Sequence, residues 1–333
     1  MGSNPIARSK WGSRLSPISM LSLAATFSFG YNILERCAKA RGRVIRYEGA
    51  VIRPPSEAKS LILQATLGCS HNKCIFCGTY LDKRFRARPL KELFEDIDSV
   101  GDYAFSVRRV FLADGNALVL STERLLKILD KLNDSFSRLE RVGIYGNASD
   151  ILRKSLEDLE ELRKRKLGII YLGLESGSDE VLQFIEKGAT SQEMIEAVKK
   201  AQGVGIDLSV IAILGMGGRG LSEHHARETA RVLNEMNPRY ASFLTLMVIP
   251  GTPLYDMVRA GEFDLLDPLG MLSELGMVVE NLELEGTIFR TNHASNYLAL
   301  GGTFPQDKDR ILREIKRSLS GEVPLRPEFL RAL

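Results

Sequence analysis

Three of the chain's four cysteines fall within nine residues, Cys69-Ser-His-Asn-Lys-Cys74-Ile-Phe-Cys77. A C-x4-C-x2-C run in one short loop can wrap three thiolates round a single inorganic centre. Only Cys37 is left over, so no disulfide framework can be drawn. Three chemistries remain: a structural zinc ion with His71 as fourth ligand, unpaired buried thiols, and an iron–sulfur cluster. Closed zinc sites need four ligands, usually as two separated pairs, and the sequence offers no second pair. A [4Fe–4S] cluster is normally held by four cysteines, so three would leave one iron with a coordination position for a small molecule. The spacing favours the cluster over zinc.

Other residues have the chemistry to touch a ligand. Lys83-Arg84-Phe85-Arg86-Ala87-Arg88 puts four cations and an aromatic just after the cysteines. That run suits an anchor for carboxylates, phosphates or short RNA, and equally a solvated surface. Arg290-Thr-Asn-His293-Ala-Ser-Asn296-Tyr297 is a polar stretch in which His293 can move a proton near neutral pH, with Tyr297 beside it. Both are catalytic candidates, although an exposed loop would read the same way. His224 and His225 fall in the first turn of a helical pattern and read as a cap and a surface residue. The spacing G-x-G-x-x-G starts at Gly215, but neither a following acid nor an N-terminal βαβ position accompanies it, so it marks no dinucleotide site.

The elements that must position these groups repeat regularly. Apolar runs at 60–66, 109–113, 141–145, 168–175, 207–214 and 241–248 alternate with amphipathic stretches at 90–100, 122–133, 154–165, 179–187 with 192–202, and 222–237. Six β–α units predict parallel strands with helices covering the sheet. Ser191 and Ser222 stand where a helix-capping hydroxyl is expected. Beyond Pro250 the rhythm fades until a last helical pattern at 306–319.

With 333 residues, 44% apolar and 26% charged, the chain has an ordinary globular composition, and no apolar run reaches a membrane span. Residues 1–46 hold eight cations against Glu35, a charge of +7 in a chain of +3, so the body carries −4. A body that is not basic argues against extensive phosphate-backbone binding. Ala38-Lys39-Ala40 after a mildly apolar stretch raises a secretory signal, but Pro17, Asn32 and several serines break that stretch. Residues 1–50 read as a basic, poorly packed extension, of which 1–43 could instead arise from a start codon placed too far upstream, and the thiol chemistry suits a reducing, cytoplasmic compartment. A barrel-like domain over 51–262 and a C-terminal extension over 263–333, capping the barrel mouth, complete the expected organisation.

The cysteine loop after the first strand of a six-fold β–α pattern resembles the radical S-adenosylmethionine (SAM) superfamily. The commonest motif there is C-x3-C-x2-C, and the longer spacing here is similar to that of the Elongator catalytic subunit. The stretch Leu172-Gly-Leu-Glu175-Ser-Gly-Ser-Asp-Glu-Val-Leu resembles the corresponding part of the oxygen-independent coproporphyrinogen dehydrogenases and the radical SAM methylthiotransferases. The resemblance covers roughly 58–262. It implies an α/β fold, a partial (βα)6 parallel barrel, with a [4Fe–4S] cluster on Cys69, Cys74 and Cys77 and SAM on the open iron. Ala113-Asp114-Gly115-Asn116 takes the place of the family's turn for the SAM amino group, with Asp114 or the turn carbonyls as acceptors. Asn147 stands at the ribose position, Glu175 in the SAM pocket, and Lys187 opposite the SAM carboxylate. The turn at Gly215 and the ring of Phe76 would lie beside adenine, and Val248-Ile-Pro-Gly251-Thr-Pro-Leu-Tyr255 resembles the family's closing turn.

The implied activity is reductive cleavage of SAM to a 5′-deoxyadenosyl radical that abstracts hydrogen from a small molecule or short RNA. Electrons would come from a ferredoxin or flavodoxin. Too few cysteines remain for a second four-cysteine cluster, which disfavours methylthiotransfer and sulfur insertion. With no acetyltransferase domain after the barrel and no room for a cobalamin domain before it, the expectation is a minimal single-cluster enzyme. A tRNA-modifying radical SAM enzyme is the alternative within the family, and a non-catalytic iron–sulfur or zinc-binding protein the alternative outside it.

Overall fold

The computed structural model describes residues 45–332, so Cys37 and the basic N-terminal segment through residue 44 lie outside the described residues. The elements follow in the order β1 (Leu61–Gln64), β2 (Thr66–Leu67), β3 (Arg86–Ala87), α1 (Leu90–Ser99), β4 (Arg109–Ala113), α2 (Thr122–Ser135) and β5 (Arg141–Tyr145). Next come α3 (Ala148–Leu152), α4 (Leu156–Lys164), β6 (Leu167–Glu175), α5 (Asp179–Phe184), α6 (Ser191–Gly203), β7 (Asp207–Leu214), α7 (Gly218–Met236) and β8 (Tyr240–Thr245). The chain ends with α8 (Pro253–Ala260), α9 (Pro268–Asn281), β9 (Ile288–Arg290), β10 (Gly301–Thr303) and α10 (Lys308–Leu319). Among the described residues no helix is long and apolar enough to cross a membrane.

The main sheet runs β1-β4-β5-β6-β7-β8-β9-β10. Every neighbouring pair through β9 is parallel, and β10 returns antiparallel. No ladder joins β10 back to β1 among the described residues, so the sheet is a partial barrel. All six expected parallel strands are present. The sheet then continues past residue 262 through Ile288-Phe-Arg290, a strand of three residues too short to show a period in the sequence.

Strand alternation separates two packing faces. Val110, Leu112, Ile170, Leu172, Leu174, Leu208 and Val210 face the helices in the large core. Phe111, Ala113, Ile169 and Tyr171 point the other way and form a small inner cluster with Ile62, Tyr145 and Tyr240 packed against it. In that cluster Phe111, Tyr145 and Tyr171 meet edge to face at centroid distances of 5.0, 5.7 and 6.0 Å. The concave side of the sheet is therefore plugged by aromatic rings partway along its strands.

Two helix starts differ from expectation. The hydroxyl capping α6 belongs to Thr190, one residue before Ser191, in a reciprocal pair with Glu193. Helix α7 begins at Gly218, a full turn before Ser222, because Gly218-Arg-Gly-Leu continues the helix despite its poor propensity. Ser222 thus lies buried inside the helix.

Arg88, the last cation of the run after the cysteines, is 2% exposed. Its guanidinium donates to Asp96 Oδ2 at 2.9 Å and to the carbonyls of Gln64 and Arg46 at 3.2 Å. It ties the first strand to α1 and is not available to a ligand. Removing one partner of a buried ion pair leaves the other charge uncompensated, which typically costs about 3 kcal/mol or more. Arg88→Met is expected to destabilise the chain by roughly that amount, measured by urea denaturation.

Candidate functional site

The cysteine loop leaves the C-terminal end of β1, where parallel sheets place their ligands. Cys69, Cys74 and Cys77 are free thiols, each partly exposed. Hydrogen bonds to the end of β4, the end of α5 and the start of α8 fix the loop between them. The Ser70 N–H donates to Asn116 Oδ1 at 3.0 Å, and Asn116 Nδ2 donates to Ser70 Oγ at 2.7 Å and to Asp150 Oδ2 at 2.8 Å. The same Asp150 oxygen accepts from the Asn147 N–H at 3.1 Å, which draws the ends of β4 and β5 together. On the other side the Ile75 N–H donates to the Ile185 carbonyl at 3.2 Å, and the Leu254 N–H donates to the Ile75 carbonyl at 3.0 Å. Phe76 is half-buried against the core beside them.

Gly115 permits the close approach of the β4 turn to this loop. A Cβ there would stand 2.1 Å from the Gly68 carbonyl oxygen and 2.7 Å from Cys69 Cα, at a φ of +35°. The Asp114 side chain is committed to partners within the protein. It is fully buried and accepts from Lys83 Nζ at 2.9 Å, Gln64 Nε2 at 3.0 Å and the Tyr80 hydroxyl at 3.4 Å. Tyr80 also accepts from the Gly115 N–H at 2.9 Å. The carboxylate is thus saturated by the protein and shapes the turn from behind.

Glu175 and Lys187 come together as an ion pair of 2.8 Å, each side chain only 11% exposed. A bulge in the β6–β7 register between Gly173 and Glu175, together with a φ of +60° at Glu175, re-aims the carboxylate at the end of β6. Gly173 makes room for it, since a Cβ there would fall 2.2 Å from Glu175 Oε1. Burial raises the Cys74 thiol pKa to about 12, opposed by the Lys187 ammonium and reinforced by Glu175, Cys77 and Cys69. Burial by itself would lower the Lys187 pKa, but Glu175 and the neighbouring cysteines outweigh it, so the value stands above that of an ordinary lysine. The cysteines, the lysine and the glutamate therefore share one electrostatic neighbourhood.

The donor set discriminates between metals. His71, the fourth ligand a zinc ion would need, bonds instead to the Glu186 carbonyl at 2.7 Å and packs against Gly188. Among the described residues no three Cys, His, Asp or Glu side chains stand close enough to share one ion, as a mononuclear zinc site requires. In a cubane each thiolate takes its own iron, which suits three thiols distributed round a loop.

Several residues differ from their sequence reading. Of the cationic run, Lys83 is bound to Asp114, Arg86 to Glu48 and Arg88 to Asp96, while Arg84 and Arg86 are exposed. Gly215 sits in a closely packed turn. Its N–H donates to Glu274 Oε1 at 2.6 Å, and a Cβ there would meet Met271 at 2.4 Å. His225 is fully buried rather than a surface residue, while His224 is exposed. His293 Nδ1 accepts from the Ser295 N–H at 3.1 Å, and Tyr297 donates to Glu328 at 2.6 Å with Arg331 over its ring, so both belong to a polar knot packed at the end of β8.

The sequence reading missed a buried network behind the site. His225 Nδ1 lies 2.7 Å from Ser176 Oγ, next to Glu175, and its Nε2 is 3.6 Å from Glu274 Oε1. Ser222 donates to the other oxygen of Glu274, and Thr229 accepts from the Gly177 N–H at 3.0 Å. Helix α7 thereby holds the turns after both β6 and β7 against α9. The one available signal was the pairing of Ser222 and His225 three residues apart on one helix face.

This network makes stability depend on pH. Burial raises the Glu274 pKa from 4.5 to about 7, opposed by the bonds from Ser222 and Gly215. A raised folded pKa means that the stabilisation is complete below the unfolded value and is lost as pH climbs through about 7. His225, depressed by burial to about 4, acts in the opposite sense and loses its contribution as pH falls from 6.5 through that value. Glu274→Gln is neutral at every pH. Its stability relative to the parent is expected to improve by about 2 kcal/mol between pH 5 and pH 8, measured by urea denaturation at both.

The sequence model of the radical SAM superfamily matches residues 63–233, over half the chain. An uncharacterized methyltransferase of Pyrococcus horikoshii is 27% identical over 202 residues, covering 60% of this chain and 42% of that protein. An uncharacterized protein of Methanocaldococcus jannaschii is 28% identical over 228 residues, covering 65% and 69%. The solved structure of the cobalamin-dependent SAM radical enzyme OxsB superposes with a TM-score of 0.54 at 17% identity, covering 66% of this chain and 41% of that one. The chain thus spans less than half the length of the first of these relatives and of OxsB. With its cysteine loop, its partial parallel barrel and this match, the chain belongs to the radical SAM superfamily.

Proposed function

We propose that this chain is a radical SAM enzyme whose cluster is held by Cys69, Cys74 and Cys77, with SAM at the iron these thiols leave open. The observation that carries the reading is the Lys187–Glu175 pair in the same electrostatic neighbourhood as Cys74. Bound there, the cluster and SAM supply one-electron cleavage of a carbon–sulfur bond and hydrogen abstraction from a substrate. An outside electron donor of the ferredoxin or flavodoxin kind, in a reducing cytoplasmic compartment, supplies the electron.

The protein's part is position and dryness. Lys187 faces the carboxylate of the SAM methionine moiety, and Glu175 takes a donor from the same molecule in exchange for part of its bond to Lys187. The backbone of the turn Asp114-Gly115-Asn116, held against the loop by Asn116, offers acceptors to the ammonium. Asn147, able to donate and accept, lies at the start of α3 for the ribose, with Phe76 beside the loop for the base. The Phe111–Tyr145–Tyr171 plug closes the lumen below and keeps water from the reacting atoms. A substrate would enter from the strand-end side.

The test is anaerobic reconstitution with iron and sulfide, reduction, addition of SAM, and mass-spectrometric detection of 5′-deoxyadenosine. Product is expected, and Cys74→Ala should abolish it together with the reduced-cluster signal. Lys187→Met should keep the cluster and raise the SAM concentration needed for half-maximal cleavage by about tenfold or more, the loss expected of one charge-assisted contact. A fully loaded, reducible cluster whose spectrum ignores SAM would establish the non-catalytic iron–sulfur reading instead.

A further inference from the structure

At the opposite end of the strands from the cysteine loop lies a cavity of about 390 Å³. Lys59, Arg109, Arg141 and Arg290 line it, and among its lining residues there is no Asp or Glu. The strand register explains the convergence. Arg109 and Arg141 are the first residues of β4 and β5 and are directly paired, and Arg290 pairs with Ser242 across β8–β9. All three point into the concave side, where Ser209, Ser242 and Tyr240 add hydroxyls.

Among the described residues Arg141 is the one of these cations that meets a carboxylate, the fully buried Glu57, which is shared with Tyr171 and Ser60. The Arg141 Nε is buried and has no hydrogen-bond partner among the described residues. Neither Arg109 nor Arg290 is in an ion pair among the described residues. Arg290 lies over the Tyr240 ring at 5.8 Å. Arg109 feels Glu140 only at a distance, because Glu140 is paired with Arg108. Three half-buried guanidiniums and the exposed Lys59 against Glu57 leave a local charge of +3, and at the half-buried positions like charges repel more strongly than in water. Among the described residues Glu57 is the one carboxylate paired with these cations, and a multiply charged anion would offset the remaining repulsion.

We propose that this cavity is a second ligand site, for a small multiply charged anion carrying an oligophosphate or several carboxylates. Guanidinium forks from two or three strands suit either group, since each presents paired oxygens. The aromatic plug separates the site from the cysteines. Tyr145 packs edge to face on Phe111 and Tyr171, and Tyr171 lines the cavity. The anion is therefore not the group that reacts, and the site stands whether or not the cluster supports catalysis.

The experiment is calorimetric titration of the full chain with inorganic tripolyphosphate and, separately, with citrate at 0.1 M salt. One of them is expected to bind at one site per chain in the micromolar range, and which one it is names the ligand class. The double variant Arg109→Gln with Arg290→Gln should weaken binding by about tenfold or more. Ser242→Asp keeps every cation but supplies a competing carboxylate. It should abolish binding and raise the melting temperature of the unliganded chain. The proposal is overturned if neither anion binds below 10 mM, or if either variant, folded by circular dichroism, binds as the parent does.

Discussion

Lys187 and Glu175 form an ion pair with almost no access to water, set against thiols that are themselves partly buried. Removing two charges from water costs several kcal/mol, and their attraction repays this only when the geometry is held. The rest of the site is arranged to hold it. A bulge and a left-handed residue aim the carboxylate, a glycine two residues earlier on the same strand gives it space, and two buried side chains of α7 clamp the turn that follows. Such a pair is weak evidence for stability. It is better evidence for a site that exchanges one partner for a ligand bearing both signs of charge, as an amino acid moiety does.

The cysteine loop is the second half of the same construction. Its thiols come from a segment with little regular structure, so their positions depend on hydrogen bonds to Asn116, Ile185, Glu186 and Leu254. These partners sit at the ends of β4 and α5 and at the start of α8, elements far apart in sequence. A parallel sheet makes this possible because all its C-terminal ends lie on one side. The opposite ends, freed from that task, carry the cationic cavity. Between the two the aromatic plug keeps the sheet's concave face from being a through channel.

Much of this was legible in the residues. Cys69, Cys74 and Cys77 stand out by spacing, and the six parallel strands by their apolar runs, because a sheet covered on both faces leaves a strong pattern. Glu175 and Lys187 were legible only through resemblance. What stayed hidden were relationships across long sequence distances. Lys83 and Arg88 look like one cationic patch in the sequence, yet their partners, Asp114 and Asp96, lie on separate elements. His225 looked like a surface histidine because Glu274 and Ser176, which bury and bond it, are contributed by other turns of the chain. The glycines before Ser222 concealed the true start of α7, and β9 was too short to carry a period.

The central claim is that the thiol loop and the Lys187–Glu175 pair form one site, in which a cluster and SAM touch. The most direct measurement is electron paramagnetic resonance of the reconstituted, reduced chain with and without SAM, in the parent and in Glu175→Gln. The account predicts a [4Fe–4S] signal that SAM perturbs in the parent, and a variant with the same unliganded signal whose perturbation needs about tenfold more SAM. A signal unchanged by saturating SAM in the parent, or a variant that responds to SAM as the parent does, would contradict it.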